Sequence, residues 1–338
     1  MKKISHIALS VLLVFMLAAC GANEADSPSG NASPTETQSA ASSSAETTPT
    51  SSPSADDAKS TVYPLTEKDA TGKEITFEQA PETIVSASPA ETEILFALGL
   101  ADRIVGVSDF DNYPKEAESK PKVGGIVEPN TEAIVAAGAD LVVAGISIKD
   151  TALDNLRTLG LNVVCMNPRK LDDVLSDILQ LGRITDQQTE AEALVAQMKA
   201  DIQMVKGVAE TIKPEEKRKV YIEYSPGWTV GSGEFMDELI TLAGGVNIAS
   251  DVQGWSQINE EKVIKDNPDV IIHTLNLVDD KGNKLEDLIR GRSGWGEITA
   301  IKNDRVVGLD GDVLARPGPR ITQALLGIAS AIYPDSYQ

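Results

Sequence analysis

The sequence predicts an α/β protein of two Rossmann-like lobes with parallel sheets, joined by one long rigid α-helix, with a ligand cleft between the lobes. Three observations carry that expectation. Short runs of branched apolar residues alternate with segments of helical period on both sides of a central stretch, and such alternation implies parallel sheets with helices on both faces. One unit occurs twice: Asn130-Thr131-Glu132, followed by Asp140-Leu141-Val142-Val143, is echoed by Asn259-Glu260-Glu261, followed by Asp269-Val270-Ile271-Ile272. Each copy reads as an Asn-capped helix with an acidic first turn, ended by Gly138 or Pro268, and then a buried strand. Between the two halves, residues 187–212 lack proline and are rich in Ala, Glu, Gln, Lys and Met. As one helix this segment would measure about 39 Å, enough to cross from one lobe to the other.

The first residues stand outside that fold. Lys2 and Lys3 precede an apolar core from Ile7 to Met16, which has signal-peptide length and is too short to span a membrane. Leu17-Ala18-Ala19-Cys20 resembles a bacterial lipoprotein signal, which implies cleavage before Cys20 and lipid attachment to its thiol and new amino terminus. Residues 20–60 are dominated by Ser, Thr, Ala, Pro and acidic side chains. Such a segment buries too little apolar surface to offset its ordering entropy, and is expected to be a disordered spacer behind the anchor. The expected organisation is a signal at 1–19, the lipidated cysteine and linker at 20–60, an N-terminal lobe at 61–182, a linking helix at 183–214 and a C-terminal lobe at 215–338.

Residues 63–81 read as a hairpin turned at Gly72, with Ile75 and Phe77 alternating with polar positions. A strand at 83–87 runs into Ser88-Pro89-Ala90-Glu91, where Ser at the N-cap, Pro at N1 and Glu at N3 predict a capping box. The helix that follows carries Ile94, Leu95 and Leu98 and stops at Gly99. Strands are expected at 103–107 and 162–166, and helices at 151–159 and 172–182. The linking helix places Ala193, Leu194, Met198, Ile202 and Val205 at helical spacing. The second lobe restarts with a strand at 220–224. A loop at 225–228, helices at 235–243 and 284–290, a strand at 305–309 and a closing helix at 319–332 complete it.

The formal net charge of −21 argues against nucleic acid, which demands a clustered basic surface, and against attraction to anionic lipid heads. With Cys20 lipidated, Cys165 stands alone in Val163-Val164-Cys165-Met166, so no intrachain disulfide is expected and the thiol reads as buried and structural. His6 leaves with the signal. His273 follows Val270-Ile271-Ile272 at a strand end and reads as a satisfied structural imidazole. There is no Gly-x-Ser-x-Gly elbow, no phosphate loop and no Gly-x-Gly-x-x-Gly. No metal, cofactor or catalytic residue is therefore expected, and the chain does not read as an enzyme. An envelope hydrolase is the remote alternative.

Aromatic residues make up only 4% of the chain, so those on loops are informative. Tyr113 lies in Phe110-Asp111-Asn112-Tyr113-Pro114 after the second strand. Trp228 and Trp255 lie on loops of the second lobe, and Asp312 and Arg316 lie between Asp310 and Pro317. Ligands of open α/β sheets bind outside the carboxyl ends of the strands, where these loops fall. Flat rings with a few polar anchors suit a large, partly apolar ligand.

The stretch Thr83-Ile84-Val85-Ser86-Ala87-Ser88-Pro89-Ala90-Glu91-Thr92-Glu93-Ile94-Leu95 resembles the opening of ABC-transporter substrate-binding lipoproteins of the helical-backbone class, which carry cobalamin, ferric siderophores or haem. Gly106-Val107-Ser108-Asp109-Phe110-Asp111-Asn112-Tyr113-Pro114 and Arg316-Pro317-Gly318-Pro319-Arg320-Ile321 look most like the cobalamin-binding branch. The resemblance implies ligand contacts from Tyr113, Trp228, Trp255, Asp312 and Arg316. It also implies docking on a membrane permease through Glu132 and Glu261, while the long spacer behind the lipid anchor fits a monomer held on the outer face of a Gram-positive cell membrane. One departure stands out: cobalamin binders carry a tryptophan before the first Asn-x-Glu, whereas this chain has Gly124-Gly125-Ile126-Val127-Glu128-Pro129. A ferric siderophore or haem is the alternative ligand.

Overall fold

The fold begins with a hairpin, β1 (Leu65–Lys68) against β2 (Glu74–Phe77), and Gly72 in its turn has a φ of 84° that glycine adopts at no steric cost. The structure, a computed structural model, describes residues 59–337. The expected signal, the Cys20 lipidation site and all but the end of the linker lie outside the described residues.

The first lobe runs β3 (Ile84–Ser86), α1 (Pro89–Ala97), β4 (Ile104–Val107), α2 (Thr131–Ala137), β5 (Leu141–Ala144), α3 (Asp150–Thr158) and β6 (Val163–Cys165). Helices α4 (Leu171–Thr185) and α5 (Gln188–Ala209) then lead to the second lobe. That lobe contains β7 (Lys219–Glu223), β8 (Trp228–Val230), α6 (Phe235–Leu242), β9 (Val246–Asn247), β10 (Trp255–Gln257), α7 (Glu260–Asp266) and β11 (Val270–Thr274). It ends with α8 (Leu285–Gly291), α9 (Thr299–Lys302), β12 (Val306–Leu309), α10 (Gly311–Ala315) and α11 (Ile321–Ile332).

Both main sheets are parallel, in the orders β4-β3-β5-β6 and β9-β7-β11-β12. In each, the first strand lies between the second and the third, and the fourth is outermost. The lobes thus share one topology as well as the repeated helix–strand unit. The repeat caps itself identically: the Asn130 carboxamide oxygen accepts from the Ala133 amide at 3.1 Å, and Asn259 from Lys262 at 3.0 Å. Gly138 and Asn267, both left-handed, end the two helices, so Asn267 rather than Pro268 is the C-cap of the second.

The linking segment differs from one helix over 187–212. Asp186, left-handed with a φ of 57°, separates α4 from α5, and α5 has 22 residues, or about 33 Å at the usual rise. Its buried stripe is Ala191, Val195, Met198, Ile202 and Val205, while Ala193 is exposed. The phase is set by packing: a methyl at Gly182 of α4 would lie 2.4 Å from the Ala191 methyl, so the two helices approach closely there. One apolar cluster runs from Ile75 and Phe77 of the hairpin through α4, α5 and both sheets to α11. Each large side chain enclosed in it contributes about 1.5–3 kcal/mol. The lobes therefore share a core through α5.

Candidate functional site

In an open parallel sheet the crevice opens where successive crossovers leave in opposite directions. In the first lobe that point lies between β3, which runs into α1, and β5, which runs into Gly145. A methyl at Gly145 would come within 2.5 Å of the Ser88 hydroxyl and 2.7 Å of Glu91 Oε2, so α1 sits directly over the carboxyl end of β5. In the second lobe the point lies between β7 and β11. There the Thr274 hydroxyl donates to the Tyr224 carbonyl at 2.6 Å and ties the two strand ends together.

Helix α1 is enclosed on all sides, with Ala90 through Leu95 buried. The expected capping box does not form. Ser88 makes no side-chain cap hydrogen bond, and Glu91 turns into the interior, where one of its oxygens has no partner among the described residues. Loss of water pushes its pKa up to about 7. Two residues on, the Glu93 side chain is 1% exposed and receives both arginines of the α10–α11 corner. Arg320 donates from Nε at 2.8 Å and from Nη2 at 2.5 Å, and Arg316 from Nη1 at 3.1 Å.

Arg316 also donates to the Asn112 carboxamide oxygen at 2.7 Å and lies 3.0 Å from Asp312. The Asn112 amide in turn donates to Asp312 at 2.8 Å. Arg320 stacks on the Tyr113 ring, 3.9 Å from its centroid. Loop 110–113 and α1 of one lobe are thereby joined to the 312–320 segment of the other. Asp312 and Arg316, read from the sequence as one segment, and Tyr113, read apart from them, belong to one interlobe cluster whose central member is Glu93.

Two cavities flank this cluster. One of about 550 Å³ is lined by Tyr113, Phe96, Glu93 and Arg320 together with Leu194 and Met198 of α5. The other, about 350 Å³, lies at the carboxyl ends of the second sheet and is lined by Tyr224, Thr274, Asn276, Asp310 and Asp312. Burial first, then the charge of Asp312, holds the Tyr224 phenol above its ordinary pKa. Trp228 and Trp255 line neither cavity. Their segments, read from the sequence as loops, pair as an antiparallel ribbon with Trp228 opposite Gln257 and Trp255 opposite Val230. Both residues are more than 40% exposed, and Trp255 meets Tyr224 edge to face at 5.1 Å, which links the ribbon to the second cavity. Phe110, Ile146 and Leu275, just beyond β4, β5 and β11, are exposed as well.

Glu132 and Glu261 occupy equivalent first-turn positions of α2 and α7, are exposed, and make no ion pair among the described residues. Cys165 is buried, with a thiol pKa raised to about 11 by desolvation. His273 is 2% exposed, with Nδ1 3.1 Å from the Thr274 carbonyl. Its buried Nε2 has no partner among the described residues, so the imidazole is enclosed but not fully satisfied, contrary to the sequence reading. Sequence reasoning did not single out Glu93, Asn112 or Tyr224, and weighed Arg320 only as a second basic residue beside Arg316. Asn112 and Arg320 lie inside segments already singled out. Glu93 had no signal, because a helix buried all round shows no polar face.

Comparison with known proteins places this geometry in context. Residues 84–313 match the model of a family described as periplasmic binding protein. An uncharacterized ABC transporter substrate-binding lipoprotein of Bacillus subtilis is 35% identical over 287 residues, 83% of this chain and 89% of that protein. A cobalamin-binding protein of Halobacterium salinarum is 29% identical over 279 residues, 80% of this chain and 74% of that one. Among solved structures, a periplasmic heme-binding protein from Roseiflexus superposes with a TM-score of 0.68 at 27% identity, covering 76% of this chain and 99% of its own. All three are binding proteins and none is an enzyme, in agreement with the sequence reading.

Proposed function

This chain belongs to the periplasmic binding protein family, and we propose that it is the substrate-binding component of an ABC importer that captures cobalamin or a related corrinoid and delivers it to a membrane permease. One observation carries the choice of ligand. Arg316 and Arg320 are both matched by Glu93, and Arg316 also by Asp312, so neither guanidinium is left as an unpaired anchor for an anion. The remaining polar lining, from Tyr224, Thr274, Asn276, Asp310 and Asp312, offers neutral donors and acceptors and negative charge. That set suits a bulky ligand rimmed with uncharged amides, with Tyr113, Trp228 and Trp255 supplying flat apolar contact.

Haem, or a ferric siderophore, is the second reading, favoured by the likeness to the Roseiflexus protein. Against haem, the one histidine among the described residues is enclosed in β11. In our reading Glu132 and Glu261 dock on permease arginines, a pairing that bidentate geometry makes specific. The protein acts as a monomer tethered through lipidated Cys20 to the outer face of a Gram-positive cell membrane. No helix among the described residues is long and apolar enough to cross a membrane. The test is gel filtration of the purified protein after incubation with cyanocobalamin. Corrin absorbance co-eluting with the protein supports the assignment, and its complete absence from the protein peak sinks it.

A further inference from the structure

The cluster at the lobe junction holds two carboxylates, Glu93 and Asp312, and two guanidiniums, Arg316 and Arg320. Its formal charges cancel. Glu93 is the one charged member contributed by the first lobe, and it lies almost wholly out of water, so its charge is screened far less than that of a surface carboxylate. It occupies the Nε–Nη2 edge of Arg320, the edge that a bound carboxylate would otherwise take in bidentate fashion. A ligand carboxylate arriving at this junction must displace a carboxylate already in place, held on the middle turn of the buried helix α1.

We propose that Glu93 determines the charge class of ligand the cleft accepts: by neutralising Arg316 and Arg320 from across the lobe junction, it excludes anionic ligands and leaves the site to uncharged, amide-bearing ones. This rests on the ligand reading above and extends it to a residue that lines the first cavity beside Tyr113. Replacing Glu93 by glutamine keeps the shape and removes the charge. The junction then carries a net positive charge, and Arg320 loses the charged partner on its Nε–Nη2 edge. Asp312→Asn shifts the charge the same way from a half-exposed position, whereas Arg320→Gln shifts it the opposite way.

The experiment titrates the wild type, E93Q, D312N and R320Q with hemin, which carries two propionates, and separately with cyanocobalamin, following tryptophan fluorescence. The expected result is a gain in hemin affinity of about tenfold or more in E93Q and a smaller gain in D312N, with no gain in R320Q, because close charges shift affinity with their sign. Equal losses in E93Q and R320Q would mean that the cluster acts only as a structural latch, and that outcome overturns the proposal. So does unchanged hemin affinity in E93Q. Should E93Q fail to fold, as judged by circular dichroism, D312N decides, and no gain there overturns it. Cyanocobalamin binding by the wild type reads the ligand assignment separately, so the two failures are distinguishable.

Discussion

Glu93 of the first lobe and Arg320 of the second form a two-point ion pair, Oε2 to Nε at 2.8 Å and Oε1 to Nη2 at 2.5 Å, with the glutamate 1% exposed. Arg320 lies at the start of α11, and Arg316, just after α10, reaches the same carboxylate. Buried clusters of this kind are costly to break from one side, because the partners left behind are charges without water.

Glu93→Ala should therefore destabilise the protein by about 3–5 kcal/mol, through two arginines left without their shared partner. Denaturant unfolding checks this, and a midpoint equal to that of the wild type contradicts it. Arg320→Ala should cost less, since Arg316 still holds Glu93.

Glu91 gives a pH dependence of definite sign. Its folded-state pKa is raised from 4.5 to about 7, chiefly by desolvation, so the folded state holds a proton that the unfolded chain has released. That contribution to stability is complete below the unfolded value and is lost as pH rises towards 7. For this one enclosed group it amounts to roughly 3 kcal/mol. Asp177, also raised to about 7 by desolvation, acts in the same direction. Glu91→Gln should raise the melting temperature at pH 8 by several degrees and change it little at pH 5. A rise of equal size at both pH values would contradict the assignment.

The local features were legible in the sequence because their causes are local. Asn130 and Asn259 each bond an amide three residues on, Gly72 supplies a positive φ, and strand–helix alternation gives parallel sheets. The site was legible only in pieces. Arg316 and Arg320 meet Glu93 across 223 and 227 residues, and no periodicity reports a pairing of that range. The tryptophan segments read as loops because Pro226, Gly227 and Gly254 punctuate them, yet their three-residue strands pair with each other. The order of strands within each sheet, which brings Tyr224 beside Thr274, is likewise a tertiary fact.

Trp255→Ala should weaken cyanocobalamin binding by about 1 kcal/mol, the scale of an aromatic contact at the edge of a binding surface. The ring is exposed, so the melting temperature should stay close to that of the wild type. Calorimetric titration of the variant reads the first effect. Undiminished affinity would remove Trp255 from the site.

Glu132→Ala combined with Glu261→Ala should leave ligand affinity intact and lower transport, because both side chains are exposed and unpaired among the described residues. Uptake of labelled cyanocobalamin by cells carrying the double variant measures this. Normal uptake would assign the two carboxylates to their helix dipoles alone.

The central claim is that the cleft between the lobes takes a corrinoid. Isothermal titration of the purified protein with cyanocobalamin tests it most directly. The account predicts saturable heat at one ligand per chain, reduced in the Trp255→Ala and Asp312→Ala variants. No heat with cyanocobalamin, together with saturable one-to-one binding of hemin by the wild type, would contradict it.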